Sequence, residues 1–370
     1  MNPGKSTRKA PGAVHQSYHC PVCLYLADVE CSFRFIRLLG PDWFHFTPFS
    51  GVHGWYDAAM RSGVGKYRLG PFLLESEIAI PELKLQETGA PDAFIRLGKV
   101  PEKLENVVAN ESRWWATRDE YLLRVPGVAS FHVSHGRDVV VEPAPDALPG
   151  DIRAYLLAPI FSTLCYQAGM YSLHASSVRV GDGVAAFLGH SGAGKSTLAA
   201  YLERRGYPVV SDDICLLDPR AEKSGGEAVV VPVAPALKLW RSALEQLGAK
   251  PEELPRVFSR DDKYRMKIGE IEDRLPLREV FFLEWAEDSE APPELIAVEG
   301  VHAITKLMEF THYDYLMKPT GRQADNFQLG GRILSQVRAF RFRRPRNFAR
   351  IEGVIDALDR HFATGGSKTL

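Results

Sequence analysis

Short apolar runs separated by Gly, Pro and Asp fill the first third of the chain. Gly127 and Gly136 lie between some of these runs and predict turns. The runs most typical of β-strands are Phe94–Leu97, Tyr121–Val125 and Ser130–Val133. The pattern predicts a disordered tail at residues 1–18 and a β-rich N-terminal domain at residues 19–150.

The apolar pattern changes after Pro143–Pro149, a Pro-rich segment typical of a domain boundary. Apolar residues recur at helical spacing over Ile152–Met170, and an amphipathic helix is predicted over Asn347–Phe362. The runs expected to form buried strands are Gly183–Leu188, Pro208–Ser211 and Val280–Leu283. Strands mixed with helices predict an α/β domain over residues 151–362, followed by a frayed C-terminus at 363–370.

Composition narrows the class of protein. The 370 residues are 45% hydrophobic and 25% charged, with a net charge of −1, so no global field favours nucleic acid or membrane partners. No apolar run approaches the roughly 18 residues of a membrane span, and the polar N-terminus does not resemble a signal peptide. Five cysteines, an odd number, argue against a disulfide framework. We therefore expect a cytoplasmic protein.

The segment Gly189–Ser196 matches the phosphate-binding pattern G-x-x-x-x-G-K-[ST]. It follows the apolar run Gly183–Leu188 and precedes a predicted helix, Thr197–Arg205, so it differs from a glycine-rich turn that binds nothing. Loop amides and a helix N-terminus favour a polyphosphate, so ATP and Mg²⁺ are the predicted ligands. The residues expected to contact the nucleotide are Gly189, His190, Ser191, Gly192, Ala193, Gly194, Lys195, Ser196 and Thr197.

Lys195 is expected to reach the β- and γ-phosphates, and the Ser196 hydroxyl to ligate Mg²⁺. Asp212 and Asp213 follow the predicted strand Pro208–Ser211, at the sheet edge where α/β proteins bind ligands. One carboxylate can hold Mg²⁺ and the other can accept the proton of an attacking hydroxyl, and their order is open. The alternative for this pair is an exposed turn.

His174 lies in the segment Ser172–Val178, which is predicted to form one strand in a hairpin with the loop strand. The imidazole of His174 could then face the γ-phosphate or the acidic pair. The alternative is a core histidine bonded to backbone.

These motifs together resemble the catalytic domain of HPr serine kinase/phosphorylase, a fold related to phosphoenolpyruvate carboxykinase. The resemblance rests on Leu173–Ser176, Gly189–Ser196 and Val210–Asp213. It implies that the acidic pair supplies the general base and a metal contact, that His174 helps to set protonation, and that the protein is a homo-oligomer such as a hexamer.

A second signature of the bifunctional enzymes, a Glu-Ile-Arg-Gly-like loop, has only a poor counterpart at Gly269–Glu272. The whole chain is more similar to the diverged lasso-peptide kinases, which phosphorylate a C-terminal serine of a precursor peptide. We therefore expect an ATP-dependent serine kinase acting on a peptide or small protein. The alternatives are a bifunctional kinase/phosphorylase and a nucleotide-dependent regulatory module with slow ATPase activity.

Three weaker patterns leave their function open. Lys263 or Arg265 could contact a phosphate, or both could lie in a solvated loop. Cys20 and Cys23 form a lone C-x-x-C pair, for which ordinary packing is favoured over zinc. Arginines interleaved with Phe340, Phe342 and Phe348 favour an exposed strand with an apolar inner face over a phosphate clamp. These arginines are Arg338, Arg341, Arg343, Arg344, Arg346 and Arg350.

Overall fold

The computed structural model describes residues 64–219, 227–233 and 236–365. The predicted N-terminal tail and the Cys20–Cys23 pair lie outside these residues. All described residues belong to one unit, Trp43–Leu370. Within them, no helix is long and apolar enough to cross a membrane.

Eight strands form the first sheet, in the order β1-β2-β3-β8-β7-β6-β5-β4. The β2–β3 and β3–β8 pairs are parallel, and the other pairs are antiparallel. The three predicted strands are confirmed as β3, β6 and β7. The bounds are β1 Gly65–Leu69, β2 Phe72–Ser76, β3 Ala93–Leu97, β4 Ala109–Glu111, β5 Trp114–Ala116, β6 Glu120–Val125, β7 Ala129–Ser134 and β8 Asp138–Pro143.

A helical run follows the first sheet, as predicted for Ile152–Met170. It consists of α1 Pro149–Tyr155, a π-helical turn Leu156–Ile160 and α2 Phe161–Gln167. The π turn contains Pro159, which has no N–H to donate to the preceding turn. Aromatic residues join this run to the first sheet, with ring centroids of Phe131 and Tyr155 5.9 Å apart. The run also contacts the second sheet, so it forms a layer between the two sheets.

The second sheet has a main strand order of β12-β10-β11-β17-β14-β13-β9, with β19 on the C-terminal half of β17 and β18 on β19. The pairs β11–β17 and β17–β19 are parallel. The strands are β9 Tyr171–Leu173, β10 Ala175–Val180, β11 Gly183–Leu188, β12 Val209–Ser211, β13 Cys215–Asp218, β14 Val229–Val231, β17 Leu275–Trp285, β18 Glu294–Ala297 and β19 Arg338–Arg344. A separate hairpin is formed by β15 Ala236–Trp240 and β16 Lys263–Lys267.

Helices cover both faces of the second sheet. One apolar cluster packs α5 and α7 against one face, and another packs α3, α8 and the β15–β16 hairpin against the other. The helices are α3 Lys195–Arg204, α4 Arg241–Gln246, α5 Gly300–Glu309, α6 Asp314–Met317, α7 Gln323–Leu334 and α8 Ile351–Gly365. The protein therefore has a mixed α/β fold with two large sheets, and the predicted C-terminal helix continues past Phe362 to Gly365.

Candidate functional site

The predicted order of strand, glycine loop and helix is present. Strand β11 ends at Leu188, and helix α3 begins at Lys195. Gly192 and Gly194 both have a φ of +78°, in the left-handed region that residues with a Cβ rarely adopt. These two glycines allow the chain to turn from the strand into the helix within six residues, Gly189–Gly194.

The Lys195 side chain is held inside the loop and is 7% exposed. Its Nζ donates hydrogen bonds to the carbonyl oxygens of Gly189 at 2.6 Å and His190 at 3.2 Å, and it lies 2.9 Å from Nε2 of His174. Burial lowers the pKa of Lys195 to about 8, although the carboxylates of Asp213 and Asp212 oppose the shift. A bound anion would replace these carbonyl contacts with a full counter-charge.

Asp212 is held by three hydrogen bonds. Its Oδ1 accepts from the hydroxyls of Ser176 at 2.6 Å and Ser196 at 2.8 Å, and its Oδ2 accepts from the backbone N–H of Lys238 at 2.8 Å. The structure thus brings the loop serine and the first carboxylate into contact.

Asp213 has a different environment from its neighbour. Its φ is +71°, and its carboxylate lies 2.8 Å from Nζ of Lys238 and 3.4 Å from Nδ1 of His174. Burial would raise the pKa of Asp213, but the surrounding cations, Lys238 foremost, outweigh it and hold the pKa well below its ordinary value. Asp213 is therefore ionised at neutral pH. Asp212 and Asp213 are not an exposed turn, because both are buried or nearly so.

The backbone at His174 differs from the prediction. Ser172–Val178 is not a single strand: β9 ends at Leu173 and β10 begins at Ala175. The two strands pair with different neighbours, β13 and β11. The N–H of His174 donates to the carbonyl oxygen of Phe310 at 2.8 Å, which takes this residue out of the hairpin ladder. The imidazole nevertheless lies between Lys195 and Asp213, as expected.

The contacts of His174 fix its tautomer. Nε2 accepts from the Lys195 ammonium, so the proton of the neutral ring lies on Nδ1, which faces Asp213 and has no hydrogen bond in the described residues. Burial and the charge of Lys195 hold the pKa of His174 well below its ordinary value. The ring is therefore neutral at physiological pH.

Two residues of the site are absent from the predicted set of site residues. The backbone N–H of Lys238 donates to Asp212 and its Nζ donates to Asp213. His312 packs its ring 5.2 Å from that of His174 and bonds the carbonyl oxygen of Asp213 at 3.1 Å. His312 is 138 residues from His174 in the chain (312 − 174), so only the fold brings them together.

The structure distinguishes Lys263 from Arg265 on strand β16. Arg265 bonds Glu82 at 2.7 Å, and Arg153 holds the same carboxylate. Lys263 has no carboxylate partner among the described residues, and its Nζ lies 5.6 Å from the ring centroid of Trp240. The charge of Lys263 also contributes to the low pKa of Asp213. Of this pair, Lys263 is the cation that faces the site.

The outer residues of the loop contribute less to the constellation. His190 is exposed and pairs with Glu309 at 3.0 Å, and Ser191 is exposed. Ala193, Gly194 and Thr197 are partly buried. The role of these residues in nucleotide contact stays a prediction.

The donor set beside Lys195 fits Mg²⁺. Mg²⁺ prefers oxygen ligands and is commonly bound by one or two carboxylates together with substrate phosphates. The Ser196 hydroxyl and the Asp212 carboxylate supply two such oxygens, 2.8 Å apart. The described part of the chain contains no group of three or more His, Cys, Asp or Glu that could hold a metal by itself. Two protein oxygens would leave positions on the ion for phosphate oxygens or water.

The arginine-rich segment forms strand β19 with an apolar inner face, as predicted, and Phe342 on that face is fully buried. The strand lies between β17 and β18, while the side chains of Arg338, Arg341 and Arg343 stay 35–48% exposed. Glutamates on the neighbouring strands neutralise the charges of Arg338, Arg341 and Arg343. This pairing, which the sequence pattern does not reveal, lets an arginine-rich strand lie inside a sheet.

The chain was compared with known proteins. No protein-family model matches, and no curated protein matches. Among solved structures it is similar to the Hpr(Ser) kinase/phosphatase from Coxiella burnetii, with 12% sequence identity and a TM-score of 0.25. That match covers 52% of this chain and 93% of the other. The likeness is too remote to assign a family or a function.

Proposed function

We propose that the protein is an ATP- and Mg²⁺-dependent phosphotransferase. The observation that carries the proposal is the difference between two adjacent carboxylates beside one phosphate-binding loop. Asp212 bonds the loop serine Ser196, whereas Asp213 lies among Lys238, His174 and the field of Lys263. This division gives the two aspartates the two roles that hydroxyl phosphorylation needs.

In this proposal Ser196 and Asp212 would hold Mg²⁺, which would supply charge neutralisation for the phosphates. Asp213 accepts the proton of the acceptor hydroxyl. The hydroxyl oxygen forms a bond to the γ-phosphorus, the bond between that phosphorus and the β,γ-bridging oxygen breaks, and ADP leaves. Lys195 and the loop amides stabilise the charge on the phosphates.

His174 acts in this scheme as a positioning residue. Its neutral ring accepts from Lys195 and presents Nδ1–H toward Asp213. It therefore links the residue that binds phosphate to the residue that takes the proton. Being neutral, it adds no positive charge that would compete with Lys195 for a phosphate oxygen.

The acceptor is proposed from the resemblance of the motifs. We infer a serine hydroxyl of a peptide or small protein, and more narrowly the C-terminal serine of a lasso-peptide precursor. A homo-oligomeric state and a cytoplasmic location belong to the same proposal. The bifunctional alternative has less support, because Gly269–Glu272 matches the phosphorolysis signature poorly.

The test of the proposal is Asp213→Asn, alone and together with Asp212→Asn. Transfer from γ-labelled ATP would be measured to synthetic peptides ending in serine, to the same peptides ending in alanine, and to HPr. We expect Asp213→Asn to slow transfer by roughly 10²–10⁴-fold, while ATP still binds. The matched control is Asp218→Asn, a buried carboxylate paired with Arg274 outside the site. Unchanged transfer in Asp213→Asn would remove this residue from the role of base.

Two further results would favour the alternatives. Release of pyrophosphate from phosphorylated product and inorganic phosphate would indicate the bifunctional enzyme. Hydrolysis of ATP without labelling of any acceptor would indicate a regulatory ATPase.

A further inference from the structure

The six arginines from Arg338 to Arg350 fall into two groups. Four of them pair with a glutamate: Arg338 with Glu279, Arg341 with Glu284, Arg343 with Glu294, and Arg350 with Glu290. Arg344 and Arg346 have no carboxylate partner in the part of the chain that the structure describes. Both guanidinium groups lie instead over the ring of Trp285, at 4.1 and 5.8 Å from its centroid. The two arginines without a carboxylate partner therefore both lie at Trp285.

Arg344 is the more unusual of the two because it is only 4% exposed. One of its terminal N–H groups donates to the carbonyl oxygen of Ala193 in the phosphate-binding loop. Its Nε is buried and has no hydrogen-bond partner among the described residues. Burial lowers the pKa of Arg344 to about 10, so the guanidinium still carries its charge at neutral pH. A buried cation without a counter-charge is costly, which points to an anion that arrives from outside the chain.

The position of Arg344 indicates which anion. Strands β11, β17 and β19 are parallel neighbours, and their carboxyl ends carry the loop, Trp285 and Arg344. A Cβ placed on Gly194 would lie 3.3 Å from Nη2 of Arg344 and 3.6 Å from Cη2 of Trp285. The guanidinium therefore lies against the backbone of the residue that precedes Lys195. An anion bound by the loop is the nearest one available to it.

We propose that Arg344 is a second phosphate-binding cation of the nucleotide site, held against the loop by Trp285. Its planar N–H groups suit the oxygens of a phosphate. The inference rests on the nucleotide binding of the proposed function, but not on phosphate transfer or on the identity of the acceptor. Lys195 begins helix α3 and Arg344 ends strand β19, so the two cations reach the loop from different elements.

Inorganic pyrophosphate tests the proposal directly, because it offers phosphate without a base or sugar. Its dissociation constant would be measured by displacement of a fluorescent ATP analogue from wild type, Arg344→Gln, Arg344→Lys and Arg343→Gln. Gln keeps an N–H donor for the Ala193 carbonyl but removes the charge, whereas Lys keeps the charge. Arg343→Gln is the control, because Arg343 precedes Arg344 on the same strand but already has Glu294 as its partner.

We expect Arg344→Gln to weaken pyrophosphate and ATP binding by about tenfold to hundredfold, and Arg344→Lys to weaken it by much less. Arg343→Gln should bind as wild type does. No loss in Arg344→Gln, or equal losses in the Gln and Lys variants, would overturn the proposal and leave Arg344 a structural support of the loop.

Trp285 provides a second measurement that needs no displacement. Trp285 is 36% exposed and its ring lies 4.1 Å from the guanidinium, so an anion on Arg344 should change its fluorescence. The signal is assigned by its loss in Trp285→Phe. A pyrophosphate-dependent change in wild type that persists in Arg344→Gln would contradict the proposal. Both experiments measure binding, so they hold or fail separately from the kinase assay with Asp213→Asn.

Discussion

The two sheets differ in what they bury. In the described residues, Ser76 is the one buried polar residue on a strand of the first sheet. Its hydroxyl donates to the carbonyl of Ile78 and accepts from the N–H of Ile78. The second sheet and the helix at its edge bury many polar groups close to one loop. Those nearest the loop are Ser176, Ser177, Lys195, Ser211, Asp212 and Arg344.

This difference separates structural roles from chemical ones. Burying a polar group costs free energy unless it is hydrogen-bonded, and burying a charge costs more. The first sheet buries mainly apolar side chains, although the indole N–H of Trp114 is buried there without a hydrogen bond in the described residues. The second sheet buries polar and charged groups around the glycine loop, where a bound ligand can supply hydrogen bonds and counter-charges in place of those lost from water. The comparison therefore locates the chemistry in the second sheet.

The largest expected effect is a loss of stability from the first sheet. Phe131 is fully buried in β7 and stacks on Tyr155. Phe131→Ala should lower the free energy of unfolding by about 3–5 kcal/mol, because it leaves a cavity in an apolar core. ATP affinity of the folded protein should stay within about twofold of wild type.

Denaturant unfolding measures the first quantity and equilibrium binding the second. The exposed Phe348→Ala serves as the control for loss of an aromatic ring. A tenfold loss of ATP affinity in folded Phe131→Ala would break the comparison, because it would couple the first sheet to the site.

The pH dependence of nucleotide binding tests the protonation of Lys195, the buried cation beside the second sheet. The pKa of Lys195 is lowered to about 8, so the ligand-free lysine loses its proton as the pH rises through that value. A bound phosphate stabilises the cation and raises its pKa. Affinity should therefore fall by up to about tenfold per pH unit above pH 8, with uptake of a proton on binding.

Asp213 and His174 have pKa values held well below their ordinary ranges, so neither adds a transition near neutral pH. Calorimetry in buffers of different ionisation enthalpy measures the proton uptake. Binding without proton uptake at alkaline pH would contradict the low pKa of Lys195.

Local patterns predicted much of the second sheet. Gly183–Leu188 and Pro208–Ser211 are short apolar runs, and the glycine loop has a spacing that few other structures require. The turn of the chain at His174 was missed, because its cause is the Phe310 carbonyl, far away in sequence. Periodicity reports on neighbours along the chain and not on partners across the fold.

The polar partners of the site were the least predictable. Lys238 and His312 reach the acidic pair through a hairpin and through the segment after α5, which no motif marks. The arginines near the C-terminus were visible in the sequence, but their glutamate partners lie on other strands. Only the three-dimensional pairing separates Arg344 from the rest.

A smaller effect should distinguish Lys263 from Arg265. Lys263 has no carboxylate partner in the described residues and influences Asp213, whereas Arg265 is neutralised by Glu82, in the segment between β2 and β3. Lys263→Met should slow phosphate transfer by roughly tenfold, since one cation near the transferred group is lost. Arg265→Met should change transfer less than about threefold and act on stability instead.

The assay is the peptide-phosphorylation reaction at saturating ATP, together with thermal unfolding of each variant. A larger loss of transfer in Arg265→Met than in Lys263→Met would reverse the assignment. It would also show that the contact through Glu82 shapes the site.

The smallest effects come from two buried serines, one in each sheet. The hydroxyl of Ser76 bonds the backbone of Ile78, whereas the hydroxyl of Ser176 donates at 2.6 Å to Asp212. Ser76→Ala should cost about 1 kcal/mol of stability and leave transfer unchanged. Ser176→Ala should cost a similar free energy but also slow transfer by about threefold to tenfold, because Asp212 loses one of the groups that orient it. The two variants remove the same atom from equally buried sites, so they isolate the sheet as the variable. If both slowed transfer equally, buried polarity would no longer separate the chemical sheet from the structural one.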